Sequence, residues 1–477
     1  MSTSSDKKVE LLSPAGTIRN MRYAFAFGAD AVYAGQPRYS LRVRNNDFQL
    51  ENLKIGIEEA HAQDKKFFVA SNLLPHGNKL KRYLEHMQPV IEMKPDALIM
   101  ADPGLISMVR EKWPEMPVHL SVQANTMNHA AVKFWQSVGV SRVILSRELS
   151  LDEVEEIRQK CPDMEIEVFV HGALCMAYSG RCLLSGYFNH RDANQGSCTN
   201  ACRWKYGMEK GAEDVSGDVL KMEDLMSLNP SPFSESASSG SESSGQNSSC
   251  GSLPRHPLAD QAYMLTEEGR PGEQMPVFED EHGTYIMNSK DLRAIEHVER
   301  LVKIGVNSLK IEGRTKSHYY VARTAQLYRQ AIDDALAGRE FDWSLMRKLD
   351  CLANRGYTDG FYQRRHTAAH QNYEQGASLM FNQRFVGEVF SYDKASGKAE
   401  IVVKNKFSVG DSIELICPNG NRTFTVDAMQ NAESGEPMSV APGSGHTVKI
   451  TLPAEPSKYA LLAKNIAPEP EPDQSAA

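Results

Sequence analysis

Four thiols stand close together in one segment: Cys175, Cys182, Cys198 and Cys202, within EVFVHGALCMAYSGRCLLSGYFNHRDANQGSCTNACRWKY, which begins at Glu167. Six, fifteen and three residues separate successive members. Thiolates from one loop can enclose a tetrahedral Zn²⁺ or carry an iron-sulfur cluster. Gly172, Gly180, Gly186 and Gly196 let such a loop turn tightly around either. Structural zinc favours closely spaced cysteine pairs, a habit that Cys198 and Cys202 share and the wider gaps do not, so the spacing leans toward a cluster with zinc as the alternative. A lone cysteine is ordinarily a small buried apolar side chain, but four in one loop point to ligation. The chain's eight cysteines are too sparse for a disulfide scaffold. Cys250 falls in a Ser-rich stretch and is read as incidental.

Other polar residues lie where strands are expected to end. Arg42, Arg44, Arg147 and Arg314 carry forked donors suited to a carboxylate ligand, against the bland reading of solvated ion pairs. Gln123 and Asn125 could add hydrogen bonds to the same ligand, and Ser13 and Glu148 occupy comparable positions. His171, Lys310 and Glu312 are the candidates for catalytic proton chemistry. Lys310 with Glu312 reads equally as a structural pair, and His171 as a satisfied core histidine. The tract RCLLSGYFNHRDANQGSCTNACRWKY mixes cations with Tyr187, Phe188, Trp204 and Tyr206, which suits phosphate contact and base stacking or simply covers the metal loop.

The elements that must position these groups alternate in type. Short apolar runs at Val9–Ser13, Ala31–Ala34, Phe67–Ser71, Ala97–Ala101, Val118–Val122, Arg142–Ser146, Ile166–Val170 and Ser308–Ile311 read as strands. Helical periodicity follows at Thr17–Phe27, Leu80–Met93, Ala130–Val138, Leu151–Lys160 and His318–Ala337, with Gly28 and Gly139 placed as helix stops. Such a chain predicts an α/β fold, a (β/α)8 TIM-like barrel over 1–340 with its site at the C-terminal strand ends.

A long cysteine-bearing insertion over 171–285 follows the seventh strand and precedes the helix near Lys290–Ile304. Its Ser-rich part, 230–255, is expected to be disordered because it cannot bury a core. A helical linker over 341–380 leads to a small C-terminal antiparallel β-barrel domain over 381–466, from alternating segments such as VGEVF, AEIVV and HTVKI. A disordered Pro/Glu-rich tail occupies 467–477.

With 41% hydrophobic and 24% charged residues over 477 positions, the chain has a globular composition. The start MSTSSDKKVELL lacks a signal-peptide core, and no run approaches the roughly 20 apolar residues of a membrane span, so a soluble cytoplasmic protein without a membrane partner is expected. A net charge of −8 argues against indiscriminate nucleic-acid binding and leaves room for a local basic surface.

Glu167, Phe169, Gly172, Ala173, Leu174, Cys175, Gly180, Cys182, Leu184 and Ser185 match, in order and spacing, the signature of the collagenase-like (U32) peptidase family. The segments PDALIMADPG, VHLSVQAN, ILSREL, FEDEHGTYIMNSKDLRAIEHVERL and SLKIEGRTKS resemble its tRNA-hydroxylating branch. That resemblance implies formation of 5-hydroxyuridine at the tRNA wobble position, the first step toward 5-carboxymethoxyuridine, with prephenate or a derived small acid as the associated metabolite. It also implies a 4Fe-4S cluster on Cys175, Cys182, Cys198 and Cys202, tRNA as partner, and an electron donor.

The chemistry agrees, since oxidising an uracil carbon needs a redox group that side chains do not supply. Two other readings compete. A peptidase would need a nucleophile, and neither an HExxH helix nor a Gly-x-Ser-x-Gly elbow is present, which leaves Cys175 beside His171 with three cysteines unexplained. A non-catalytic metal-stabilised scaffold delivering tRNA or electrons would use the cysteines for folding alone.

Overall fold

The computed structural model describes residues 8–36, 38–40, 47–75, 77–174, 291–352, 354, 356–363 and 383–466, with backbone strands at 177–178, 181–182, 206–213, 219–221, 263–267, 274–280 and 283–286. The barrel strands are β1 (Glu10–Pro14), β2 (Ala31–Gly35), β3 (Lys66–Ser71), β4 (Ala97–Met100), β5 (Val118–Leu120), β6 (Arg142–Ile144), β7 (Glu165–Ala173) and β8 (Ser308–Ile311). Each runs parallel to the next, and β8 closes the ring by pairing with both β1 (Glu10 opposite Ser308) and β7 (Glu167 opposite Ser308). The expected eight-stranded barrel is therefore closed, without free edges.

Local signals set where the connecting helices begin. Thr17 caps Ile18–Ala26 by accepting from the Asn20 amide at 3.0 Å, Asp102 and Asn128 cap the helices Pro103–Lys112 and His129–Ser137, and Ser150 with Glu153 forms a capping box on Leu151–Lys160. The apolar faces of these helices cover the outside of the barrel in one continuous core that includes Met21, Leu53, Val90, Leu105, Val154 and Ile332. Among the described residues no helix is long and apolar enough to cross a membrane.

Two expected boundaries shift. β7 runs on to Ala173, past the expected start of the insertion at 171, because Asp291–Arg293 pairs antiparallel with His171–Ala173 and extends the strand beyond the barrel rim. The insertion contains a five-stranded antiparallel sheet in the order 219–221, 206–213, 263–267, 274–280, 283–286. Its pairings span separated segments, which composition alone does not reveal. The Ser-rich segment 230–255 and the tail 467–477 lie outside the described residues. The expected helical linker is a short helix, Ser344–Asp350, followed by Tyr357–Thr358, which joins the sheet beside Asp291–Leu292; residues 364–382 lie outside the description.

The C-terminal unit is an antiparallel sheet of eight strands from Gln383 to Asn465, with a core of its own around Val386, Ile401, Val403, Phe407, Ile413 and Val448. It docks on the long helix His318–Leu336. Buried Arg323 meets Glu414 at 2.9 Å, Gln326 donates to the Cys417 carbonyl at 2.9 Å, and Tyr319 stacks on Phe385 with ring centroids 4.7 Å apart. Cys161, Cys351 and Cys417 are free thiols outside the cysteine loop.

Candidate functional site

The barrel interior is unusually polar. Alternation along the strands brings Glu10, Lys66, Arg142, Glu165 and Ser308, all near strand N-terminal ends, together at the floor of the barrel, with Glu10, Arg142 and Ser308 buried and Lys66 and Glu165 half-exposed. Arg142 Nη1 lies 2.6 Å from Glu10 and 3.1 Å from Glu167, and its Nε lies 2.8 Å from Glu165. Lys66 and the Ser308 hydroxyl also donate to Glu10, at 3.2 and 3.0 Å. Burial works to raise the Glu10 carboxyl, but the Arg142 guanidinium, helped by Lys66 and Ser308, holds it below the usual carboxylate value.

One layer higher, Lys310 Nζ is 2.8 Å from Glu167 Oε1 and sits 4.4 Å from the Tyr33 ring centroid and 5.3 Å from that of Phe169. Burial lowers the Lys310 amine from its ordinary value, opposed by the charges of Glu167 and Glu312. The aromatic faces compensate part of the charge that water would otherwise solvate.

At the C-terminal rim the arginines converge on the same rings. Arg147 lies 3.8 Å above the Phe169 ring, pairs with Glu312 at 3.0 Å and donates to the Ala173 carbonyl at 2.7 Å. Arg314 stands 5.9 Å from the Tyr33 ring and donates to the Ser40 hydroxyl at 2.9 Å. Two glycines make this rim possible. A Cβ on Gly35 would lie 2.2 Å from Arg314 Nη1, and one on Gly172, whose φ is +101°, would lie 2.4 Å from the Glu312 carbonyl.

Lys310, Glu312, Arg147 and Arg314 are thus brought into one constellation across β6 to β8 and β2. Glu312 is the partner of Arg147 rather than of Lys310, whose bonded carboxylate is Glu167. Gln123 follows β5 on a short helix that ends at Asn125 in a left-handed conformation (φ 47°). Gln123 accepts from Ser121 at 3.2 Å, and its buried Nε2 has no hydrogen-bond partner among the described residues. The buried hydroxyls of Ser13 and Thr126 are likewise unpartnered among the described residues, while Glu148 accepts from Ser146.

His171 goes elsewhere. It faces the helical layer, ringed by Tyr320, Tyr328 and Tyr357 with centroids 5.8, 5.5 and 5.4 Å away, and its Nδ1 is 3.3 Å from the Tyr328 hydroxyl. Burial, with Arg293 and Lys316 nearby, pushes its pKa down to about 3. A base so weak does not activate a thiol at neutral pH, so the Cys175–His171 dyad that a peptidase would need has little chemical footing.

Arg42 and Arg44 lie outside the described residues, as do Cys175, Cys198 and Cys202, and the side chain of Cys182. Backbone is described for part of the loop: Ala177–Tyr178 pairs antiparallel with Arg181–Cys182, Ala177 facing Cys182. Cys175 precedes that pair of strands by two positions in the sequence. Four thiols on such a loop fit the donor set of an iron-sulfur cluster or zinc. The loop leaves the barrel at Ala173, whose carbonyl Arg147 holds.

Sequence reading overlooked the floor of the site. Glu10 and Arg142 look there like ordinary strand-end charges; the signal was a charged first residue on four of the strands, Glu10, Lys66, Arg142 and Glu165.

Residues 16–372 match peptidase family U32, and residues 382–463 match the peptidase family U32 C-terminal domain. The chain is 60% identical over 464 residues to the tRNA hydroxylation protein P of Escherichia coli strain K12, covering 97% of this chain and 98% of that one. It is 56% identical over 461 residues to the protein of the same name from Haemophilus influenzae, covering 96% of each. A more distant relative, the 23S rRNA 5-hydroxycytidine C2501 synthase of Escherichia coli, is 28% identical over 391 residues, 82% of this chain and 48% of that one.

Proposed function

The chain belongs to peptidase family U32, and on that premise we propose that it is an enzyme of tRNA hydroxylation, acting on a wobble uridine to give 5-hydroxyuridine. The observation that carries the reading is the bond from Arg147 to the Ala173 carbonyl, which ties the root of the cysteine loop to a cationic barrel mouth. Nearly full-length similarity to two tRNA hydroxylation proteins supports it. The neutral, tyrosine-packed His171 weighs against peptide cleavage.

In this reading Cys175, Cys182, Cys198 and Cys202 would hold a 4Fe-4S cluster, which supplies electron transfer when bound. Prephenate, or an acid derived from it, binds at the mouth. Arg314 and Arg147 meet its carboxylates, and Glu312 orients Arg147 so that the free edge of the guanidinium stays turned to the ligand. Lys310 adds a positive charge beneath, fixed by Glu167 and the two aromatic faces. The Gln123 Nε2, without a partner among the described residues, is available as a neutral donor. tRNA is the macromolecular partner, and because converting C5–H to C5–OH removes two electrons from the uracil ring, either a reducible oxygen donor or an electron acceptor reached through the cluster would take them up.

The test is mass spectrometry of tRNA nucleosides from a strain lacking the gene, grown with and without oxygen so that an oxygen-using route cannot mask the loss. Complementation with the wild type is expected to restore 5-hydroxyuridine and its derivatives, and the Cys175→Ser, Cys182→Ser double variant to restore none. Arg147→Ala should accumulate as folded protein yet cut the modification rate about 10- to 100-fold, the loss of one or two charge-assisted hydrogen bonds. Unchanged nucleosides in the deletion strain under both conditions would remove the proposal.

A further inference from the structure

A second group of ligand-type side chains lies in the outer layer, on elements the mouth does not use. Glu296 and His297 form the turn between the strand Asp291–Arg293 and the helix Val298–Ile304. Asp359 and Gln363 lie in the turn that follows Tyr357–Thr358, Asp359 being 62 positions along the chain from His297. His297 Nε2 is 3.4 Å from Glu296 Oε1, 3.3 Å from Asp359 Oδ2 and 3.5 Å from Gln363 Nε2. The ligand atoms of Glu296, His297 and Asp359 all fall within 4.8 Å of one another. His297, Asp359 and Glu296 are mostly buried, with 10%, 10% and 21% of their side chains exposed, while Gln363 lies at the exposed edge of the group.

These distances suit a hydrogen-bonded ion pair poorly. Nε2 carries one proton at most, and a charge-assisted bond to either carboxylate would settle near about 2.7–2.9 Å. Instead both oxygens stand off at nearly equal, longer separations. Two ligands of a tetrahedral ion with bonds of about 2.0–2.1 Å are about 3.3–3.4 Å apart, which matches the 3.4 and 3.3 Å from His297 Nε2 to the two carboxylates. The Gln363 amide presents Nε2 to the same nitrogen, a contact whose direction depends on the His297 tautomer; exchanging its O and N positions turns an oxygen donor to the centre. Two converging carboxylates also favour a dication over a single shared proton.

We propose that Glu296, His297, Asp359 and Gln363 form a four-coordinate site for a divalent ion of the zinc class, separate from the cysteine loop. The ion fastens the turn 359–363 to the helical layer. That turn carries Tyr362, whose hydroxyl donates to the Phe169 carbonyl at 2.6 Å and whose own carbonyl accepts from the Leu151 amide at 3.1 Å. The site thereby holds β7 in place directly behind the ring that Arg147 covers.

The experiment titrates full-length chelator-treated protein with Zn²⁺, and in parallel with Co²⁺, comparing wild type with Asp359→Asn and with Glu296→Gln. Glu296→Gln leaves the Asp359–His297 contact in place and serves if Asp359→Asn does not fold. The wild type is expected to bind one equivalent of zinc more than either variant, or to bind it at least about ten-fold more tightly. The extra cobalt should show visible tetrahedral bands without the near-ultraviolet thiolate charge-transfer absorption of a cysteine site. Zinc should also raise the thermal midpoint of the wild type more than that of the variants. Equal stoichiometry and equal thermal response across the three proteins would overturn the assignment, leaving an imidazolium bridging two carboxylates.

Discussion

Replacing Arg142 with Met is expected to destabilise the barrel by about 3–5 kcal/mol, the effect of removing one partner from a buried charge network. The guanidinium is buried and serves Glu10, Glu165 and Glu167 at once, so its loss leaves Glu10 with Lys66 and Ser308 alone. Urea unfolding followed by far-ultraviolet circular dichroism reads the change. The contribution of Glu10 to the pH dependence should reverse sign between the two proteins. In the wild type the Glu10 carboxyl lies below its ordinary value, so its contribution is present above the unfolded pKa and is lost as pH falls through the folded one. In the variant the same carboxyl, desolvated and without its main partner, titrates above its unfolded value. Relative to the wild type, the variant should recover part of its lost stability as pH falls toward 5. A loss below about 1 kcal/mol would show that water or relaxation replaces Arg142 and that the floor is not a closed network.

His171→Phe should make the protein markedly more resistant to mild acid. The histidine is neutral in the folded state with a pKa pushed down to about 3, while its unfolded value is near the ordinary 6.5. Both states are neutral at pH 7, so the depressed pKa changes nothing there. Below the unfolded pKa the open chain takes up a proton that the folded chain refuses, so stability falls with pH until the folded pKa is reached. At pH 5 the difference is about 2 kcal/mol for this residue. Phenylalanine fits among Tyr320, Tyr328 and Tyr357, and Tyr328 keeps its bond to the Val170 carbonyl at 2.7 Å. The buried His119 and His318, also shifted down, give the remaining acid sensitivity in both proteins. The stability difference between pH 7 and pH 5, measured by urea unfolding, should therefore shrink by about that amount in the variant. An unchanged pH profile would mean that His171 is protonated in the folded protein, which would reopen proton chemistry at that position.

The barrel was legible because its strands are short apolar runs bounded by turn residues, and β1, β4, β5, β6 and β8 lead into helices with side-chain caps. Thr17, Asp102, Asn128 and Ser150 announce helix starts by side-chain chemistry alone. The rim arginines were legible from their places just past strand ends, since a parallel barrel puts those positions on one face. What the rim residues touch was not. That Glu312 serves Arg147 while Lys310 serves Glu167 depends on the register between β7 and β8, which slips at Lys310 and Ile311 and redirects the side chains that follow.

His171 shows the same limit: two positions beyond Phe169 it ought to share the inner face, yet the irregular pairing turns it to the helical layer. The insertion sheet joins 206–213 to 263–267 across a Ser-rich stretch, a pairing no local signal specifies. The cluster of Glu296, His297, Asp359 and Gln363 gave no sequence motif at all, because its two halves lie some 60 positions apart and meet only through Tyr357–Thr358 joining the strand Asp291–Arg293.

By itself, then, the sequence determined the order and type of the elements, the cysteine loop and the end of the barrel where chemistry belongs, all of which follow from periodicity, capping and spacing along the chain. Tertiary structure alone decided which charge meets which, because partner choice inside a barrel is set by strand register and burial, and these are properties of contacts between distant segments.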